Sequence, residues 1–73
     1  MSDYHINIFY SDEDGSYVAD IPDLDSCSAL GTTPEAALAA VEVAKDAWLK
    51  TARELGHPIP TPRYRPAIYQ TVK

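Results

Sequence analysis

Ile21-Pro22-Asp23-Leu24-Asp25-Ser26-Cys27, followed by Ala29-Leu30-Gly31-Thr32-Thr33-Pro34-Glu35-Ala36-Ala37-Leu38, decides the fold of this 73-residue chain. Each piece carries its own local chemistry. Pro22 has no amide proton for a β-ladder, so it ends the strand that runs into Ile21, and Pro-Asp opens a turn. Cys27 to Leu30 is a short strand, placed at a sheet edge. Gly31 makes a corner. Thr33 suits an N-cap and Pro34 the first helical position, while Glu35 lies where the helix dipole favours an anion. The block predicts a sheet completed before its helix begins.

Upstream, Tyr4, Ile6, Ile8 and Tyr10 alternate with His5, Asn7 and Phe9. Period two with β-branched and aromatic residues predicts a half-buried strand over 4–10. Ser11-Asp12-Glu13-Asp14-Gly15 has the polar residues and closing glycine of a hairpin loop, and 17–21 is the return strand. Downstream, Ala37, Ala40, Val41, Ala44, Trp48, Ala52 and Leu55 recur at three and four, the stripe of an amphipathic helix over 34–55. That helix is about 33 Å long by its rise per residue. Its apolar face is mostly alanine, which lets a sheet approach closely, with Trp48 as the one large anchor. Gly56 is a helix stop. A proline-rich tail over 57–73 contains a last strand over 67–72. The whole of 1–73 reads as a single domain.

The expected class is therefore α+β, in the order β-β-β-α-β: three antiparallel strands, one helix packed on the sheet, and a final strand after it, parallel to the first because a helical crossover joins strands of one sheet that way. A chain this short buries only about 60% of its unfolded surface, so self-association is an expected source of stability. The predicted homodimer or homotetramer uses Cys27 and Ala29 on the edge strand, and Tyr64, Ile68 and Tyr69 in the tail.

Six basic and eleven acidic residues give a net charge of −5. Such a surface repels nucleic acid and suits a basic partner or serves solubility alone. The single cysteine, Cys27, excludes an intrachain disulfide and any Cys-based metal site, and points to a reducing, cytoplasmic compartment. No apolar run approaches the roughly 20 residues of a membrane span, and the N-terminus has no basic region followed by an apolar run.

Candidate chemistry is sparse. Asp12-Glu13-Asp14, Asp20 and Asp23 with Asp25 could gather round a hard cation, but the first group lacks the spacing of a calcium loop, and a solvated hairpin tip and ordinary turn chemistry explain them. His5 and His57 have no orienting partner in the sequence. Ser26-Cys27-Ser28 matches no nucleophile motif, and the glycines stand singly at turns rather than in a phosphate loop. Arg63, Arg65 and Lys73, with Tyr64 and Tyr69, make the tail locally basic and aromatic. That composition can grip nucleic acid, but packing on a sheet or a neighbouring subunit is the expected use. No catalytic residue, metal ligand or cofactor is predicted.

Tyr4-His5-Ile6, Asp14-Gly15-Ser16-Tyr17, Ile21-Pro22-Asp23-Leu24 with Ser26-Cys27, Gly31-Thr32-Thr33-Pro34-Glu35-Ala36 and Gly56-x-Pro58-Ile59-Pro60 together resemble the HicB-like antitoxins. The resemblance covers about Tyr4 to Pro62. It implies a partial ribonuclease H-like fold and a prokaryotic role in a toxin–antitoxin system: neutralising a small basic toxin ribonuclease of the HicA type. Asp12, Glu13, Asp14, Asp23 and Asp25 are then the expected partner-binding residues, since an acidic inhibitor competes for a basic RNA-gripping surface. The sequence departs from the family at Ser26, where many relatives have glycine. It also lacks the C-terminal DNA-binding element that many carry, so direct operator binding is not expected. Two other readings stand beside this one: a structural or small-molecule-binding homo-oligomer without a toxin, and a metal-dependent nuclease. The nuclease needs carboxylates converging on central strands, and none lies between Tyr4 and Tyr10.

Overall fold

The structure, a computed structural model, describes residues 3–65. Three strands, β1 (Asn7–Ser11), β2 (Ser16–Asp20) and β3 (Ser28–Gly31), precede one helix, α1 (Pro34–Glu54). The strands lie in the order β1-β2-β3, both pairs antiparallel, so consecutive strands are neighbours. The chain is thus an α+β fold with the helix on one face of an antiparallel sheet. The expected last strand over 67–72, with Ile68 and Tyr69, lies outside the described residues.

Register places the side chains. Ile8 pairs with Ala19, which pairs in turn with Ala29, and Tyr10 pairs with Tyr17, which pairs with Gly31; these two rows lie on the helix side. Phe9, Val18 and Leu30 form the matching row on the opposite face, because side chains alternate along a strand. Ala19, Ile21, Leu24, Cys27, Ala37 and Val41 make the buried core, with Tyr4, Ile6, Tyr17, Ala29, Ala44, Trp48 and Leu49 packed round it. Small residues on both layers allow a close approach. A Cβ on Gly31 would lie 2.3 Å from the Ala37 nitrogen, so only glycine fits there.

Helix boundaries follow their caps. Thr33 is extended (φ −136°) and its hydroxyl accepts from the Ala36 amide at 3.0 Å. At the other end Gly56 adopts φ +74°, and the amides of Gly56 and His57 bond back to the carbonyls of Arg53 and Ala52 at 3.2 and 2.8 Å. That pairing is a Schellman motif, which satisfies carbonyls the helix leaves open.

Four expectations need correction. The first ladder begins at Asn7 rather than Tyr4, because its partner strand stops at Asp20: the Ile21 amide turns away to the Cys27 carbonyl at 3.0 Å. Tyr4 and Ile6 still pack on the core. The third strand starts at Ser28, since the amide of Cys27 closes the preceding turn onto the Leu24 carbonyl at 3.2 Å. Leu55 caps the helix and is 64% exposed, beyond the end of the sheet. Trp48 is only half-buried and acts as a lid on the 21–27 turn, its indole N–H donating to the Asp25 carbonyl at 2.9 Å.

Candidate functional site

Residues 21–27 form a tightly closed loop between β2 and β3. Ile21 and Leu24 are fully buried and anchor it from below. Three backbone bonds tie it together: Ile21 to Cys27, Leu24 to Ile21 and Cys27 to Leu24. Tight closure forces Ser26 to φ +60°, a left-handed conformation that disfavours a residue with a Cβ. A glycine at this place would relieve it. The sequence marked the departure at Ser26 but not its backbone cause.

On one side of this loop lies a groove of about 480 Å³. Ser26 and Cys27 of the loop, Trp48, Thr51 and Leu55 of the helix and its cap, and His57 beyond it line the groove. Its lining is mainly apolar with a few hydroxyl and imidazole groups. Cys27 is 3% exposed, and burial, with the nearby Asp20 carboxylate, pushes its thiol pKa up. It is neither an activated nucleophile nor a surface contact. Ala29 lies on the helix side of the sheet, in register with Ala19, and is half-buried.

On the other side of the loop Asp23 meets the tail. Its carboxylate accepts the backbone N–H groups of Arg63 (3.0 Å) and Tyr64 (3.0 and 3.2 Å). Those amides, Arg63 first, hold its pKa below the usual carboxylate range, helped by the charges of Arg63 and His5. The Tyr64 ring lies tilted on His5, centroids 4.9 Å apart, and His5 bonds to the Asn7 side chain at 2.7 Å. The Tyr4 hydroxyl donates to the Pro60 carbonyl. Tyr64, expected at an oligomer contact, is thus engaged within its own chain.

The other acidic candidates are separate. Asp12, Glu13 and Asp14 are exposed at the hairpin tip, where Asp14 accepts the Ser11 hydroxyl at 2.9 Å. Asp25 is exposed beside Trp48. Among the described residues no three His, Cys, Asp or Glu side chains converge on a point that could hold a metal ion. No described helix is long and apolar enough to cross a membrane. Charge is divided along the chain: residues 57–73 hold Arg63, Arg65 and Lys73 and no acidic residue, which leaves three basic against eleven acidic residues, a net −8, on residues 1–56.

Sequence reasoning missed the pairing of Asp23 with the tail and the groove under Trp48. Forty residues separate Asp23 from Arg63, and no local pattern signals such a contact.

No protein-family model matches the chain, and no solved structure matches it significantly. Among curated proteins it is 37% identical over 54 residues to the UPF0150 protein ssl0259 of Synechocystis sp. (strain ATCC 27184 / PCC 6803 / Kazusa), an alignment that covers 74% of each chain. At that identity and coverage, the chain belongs to the UPF0150 family.

Proposed function

We propose that this chain is an antitoxin-like binding module that neutralises a small basic toxin ribonuclease of the HicA type, on a partial ribonuclease H-like fold. The UPF0150 family is known as HicB-like, and the motifs from Tyr4 to Pro60 carry the same resemblance. The observation that carries the reading is the net −8 of residues 1–56, with Asp12, Glu13, Asp14 and Asp25 exposed on turns. Exposed carboxylates steer a basic partner. The groove beside Trp48 supplies the apolar anchor that a stable protein interface needs in addition to charge. The chain acts by covering its partner's RNA-gripping surface and performs no chemistry itself.

Co-expression with a small basic reading frame lying beside this gene tests this, and the lack of any such frame counts against the reading. The toxin should arrest growth alone, be harmless with this chain and co-purify with it. Charge reversal at Asp12, Glu13 and Asp14 should slow association at least tenfold at low salt, with a smaller effect at 0.5 M salt, where screening is strong. A neighbouring product that is harmless, or that does not co-purify, removes the antitoxin reading.

One observation favours self-association as a second role. β1 carries Ile8, Phe9 and Tyr10 in succession, all exposed, and its sequence Asn7-Ile8-Phe9-Tyr10-Ser11 has none of the charges or prolines that guard a sheet edge. Among the described residues no strand covers its outer side. Light scattering at tens of micromolar separates a dimer or tetramer from a monomer.

A further inference from the structure

We propose that the Asp23 turn is a binding site for an extended basic peptide segment, and that residues 59–65 of the chain are its resident ligand, displaceable by a partner segment of the same kind. The receptor half is rigid. Asp23 stands between the fully buried Ile21 and Leu24 in a loop closed by three backbone bonds, so its carboxylate is held in place before anything binds. Tyr4 and His5 complete the wall. Their side chains offer a hydroxyl donor and a ring fixed by Asn7.

The ligand half has the features this wall reads. Two successive amides, Arg63 and Tyr64, converge on one carboxylate. The carbonyl of Pro60 takes the Tyr4 hydroxyl, and the Tyr64 ring covers His5. Ile59, Pro60, Thr61 and Arg63 leave a crevice of about 260 Å³ against Asp23. Nearly all these contacts are made by backbone groups and one aromatic ring, so an extended segment need not share the sequence of the tail to occupy the site. Sign of charge supplies the selection: residues 57–73 carry Arg63, Arg65 and Lys73 and no acidic residue, whereas residues 1–56 as a whole have a net −8 and place the Asp23 carboxylate against the arm.

Pro58, Pro60 and Pro62 favour an extended backbone and lower the entropy lost on docking. A tethered segment competes at an effective concentration on the order of millimolar. The arm therefore screens Asp23 from weak basic partners and yields to tight ones. Only the identity of the natural competitor rests on the toxin reading.

The test uses the full chain and a peptide of residues 59–65, Ile-Pro-Thr-Pro-Arg-Tyr-Arg, blocked at both ends. Arg63→Pro with Tyr64→Ala removes one amide donor and the ring from the resident arm and leaves the receptor intact. In ¹⁵N NMR the peptide should shift Asp23, His5 and Tyr4 in this variant, and bind the parent at least tenfold more weakly. A peptide with both arginines replaced by glutamate should not bind. No shifts in either protein, equal affinity for both, or equal binding of the acidic peptide overturns the proposal. A second measurement covers a variant that folds poorly. In the otherwise unchanged chain, Asp23→Ala should speed hydrogen exchange at the Arg63 and Tyr64 amides at least tenfold. Unchanged exchange means that Asp23 does not hold the arm. No toxin enters either experiment, so the outcome is independent of the co-expression result.

Discussion

Gly31→Ala is the sharpest probe of how this sheet and helix meet. The added methyl would lie 2.3 Å from the Ala37 nitrogen, 2.6 Å from the Ala36 carbonyl carbon and 2.8 Å from the Ala37 Cα. All three are backbone atoms in the first turns of α1, so no side chain can swing aside. Restoring ordinary contact requires the two layers to part by about 1 Å, and a gap of that size forfeits roughly a quarter to a half of the dispersion energy across it. The layers in question hold Ala19, Ala37 and Val41 of the core, with Ala29 packed against them. Overpacking costs about 1–3 kcal/mol in general, and clashes with three fixed atoms place this case at about 3 kcal/mol. A domain of this size has a total stability of about 4–11 kcal/mol. Urea denaturation followed by Trp48 fluorescence should show the midpoint fall without a change in slope, and the melting temperature should drop by roughly 12–24 °C. Gly56→Ala serves as the contrast: nothing lies within 4 Å of its added methyl, so only the left-handed backbone (φ +74°) resists, at about 1–2 kcal/mol. A Gly31→Ala loss below about 0.5 kcal/mol would refute the close-approach argument.

Trp48→Ala should destabilise by about 2 kcal/mol, roughly half the cost of truncating a fully buried tryptophan, because one side of the ring faces the groove; a loss above about 4 kcal/mol in the same denaturation assay would make it a full core anchor. Ser26→Gly should stabilise by about 0.5–1 kcal/mol, as relief of a left-handed Cβ residue exceeds the extra backbone entropy of glycine, and a lower melting temperature would contradict the strain at φ +60°. Docking of the tail should depend on pH through Asp23. Its folded pKa lies below the ordinary value near 4, so the contribution is complete above about pH 4 and is lost as pH falls through the lowered folded value. Exchange protection of the Arg63 and Tyr64 amides, after correction for intrinsic exchange, should follow that curve; a loss centred above pH 5 would assign the latch to another group.

The elements with strong local signals were legible. Thr33-Pro34-Glu35 and Gly56 bracket α1 within one residue of the expected ends, because capping is a short-range interaction. Alternation located β1 and the hairpin loop after it located β2, which ends at Asp20, one residue before the end expected from Pro22, where the Ile21 amide turns to Cys27. The errors have one cause. A strand end is set by its partner, so the loss of pairing beyond Asp20 released Tyr4 to Ile6 from the ladder despite their regular pattern. Trp48 and Leu55 belong to the helical stripe, but burial depends on how far the sheet extends beneath it. Of the acidic candidates, the sequence gathered Asp23 and Asp25 into one face. The structure separates them: Asp23 turns to the tail, and Asp25 gives its carbonyl to Trp48. The partner of Asp23 was invisible because it depends on tertiary closure alone.

The order of strands in space repeats their order along the chain, and that has a kinetic consequence. Four residues join β1 to β2, seven join β2 to β3, and two join β3 to α1. Every closure that builds the sheet is short, so its loop entropy is small. A β-rich chain with such local pairing should fold in milliseconds or faster, nearer to mixed α/β domains than to sandwiches. Stopped-flow refolding should therefore show one fast phase reported by Trp48 as the 21–27 turn closes beneath it. The contacts of Tyr4 with Pro60 and of Asp23 with Arg63, 56 and 40 residues apart, are the long closures left for last. Variants of the arm should thus change the unfolding rate and leave the folding rate alone.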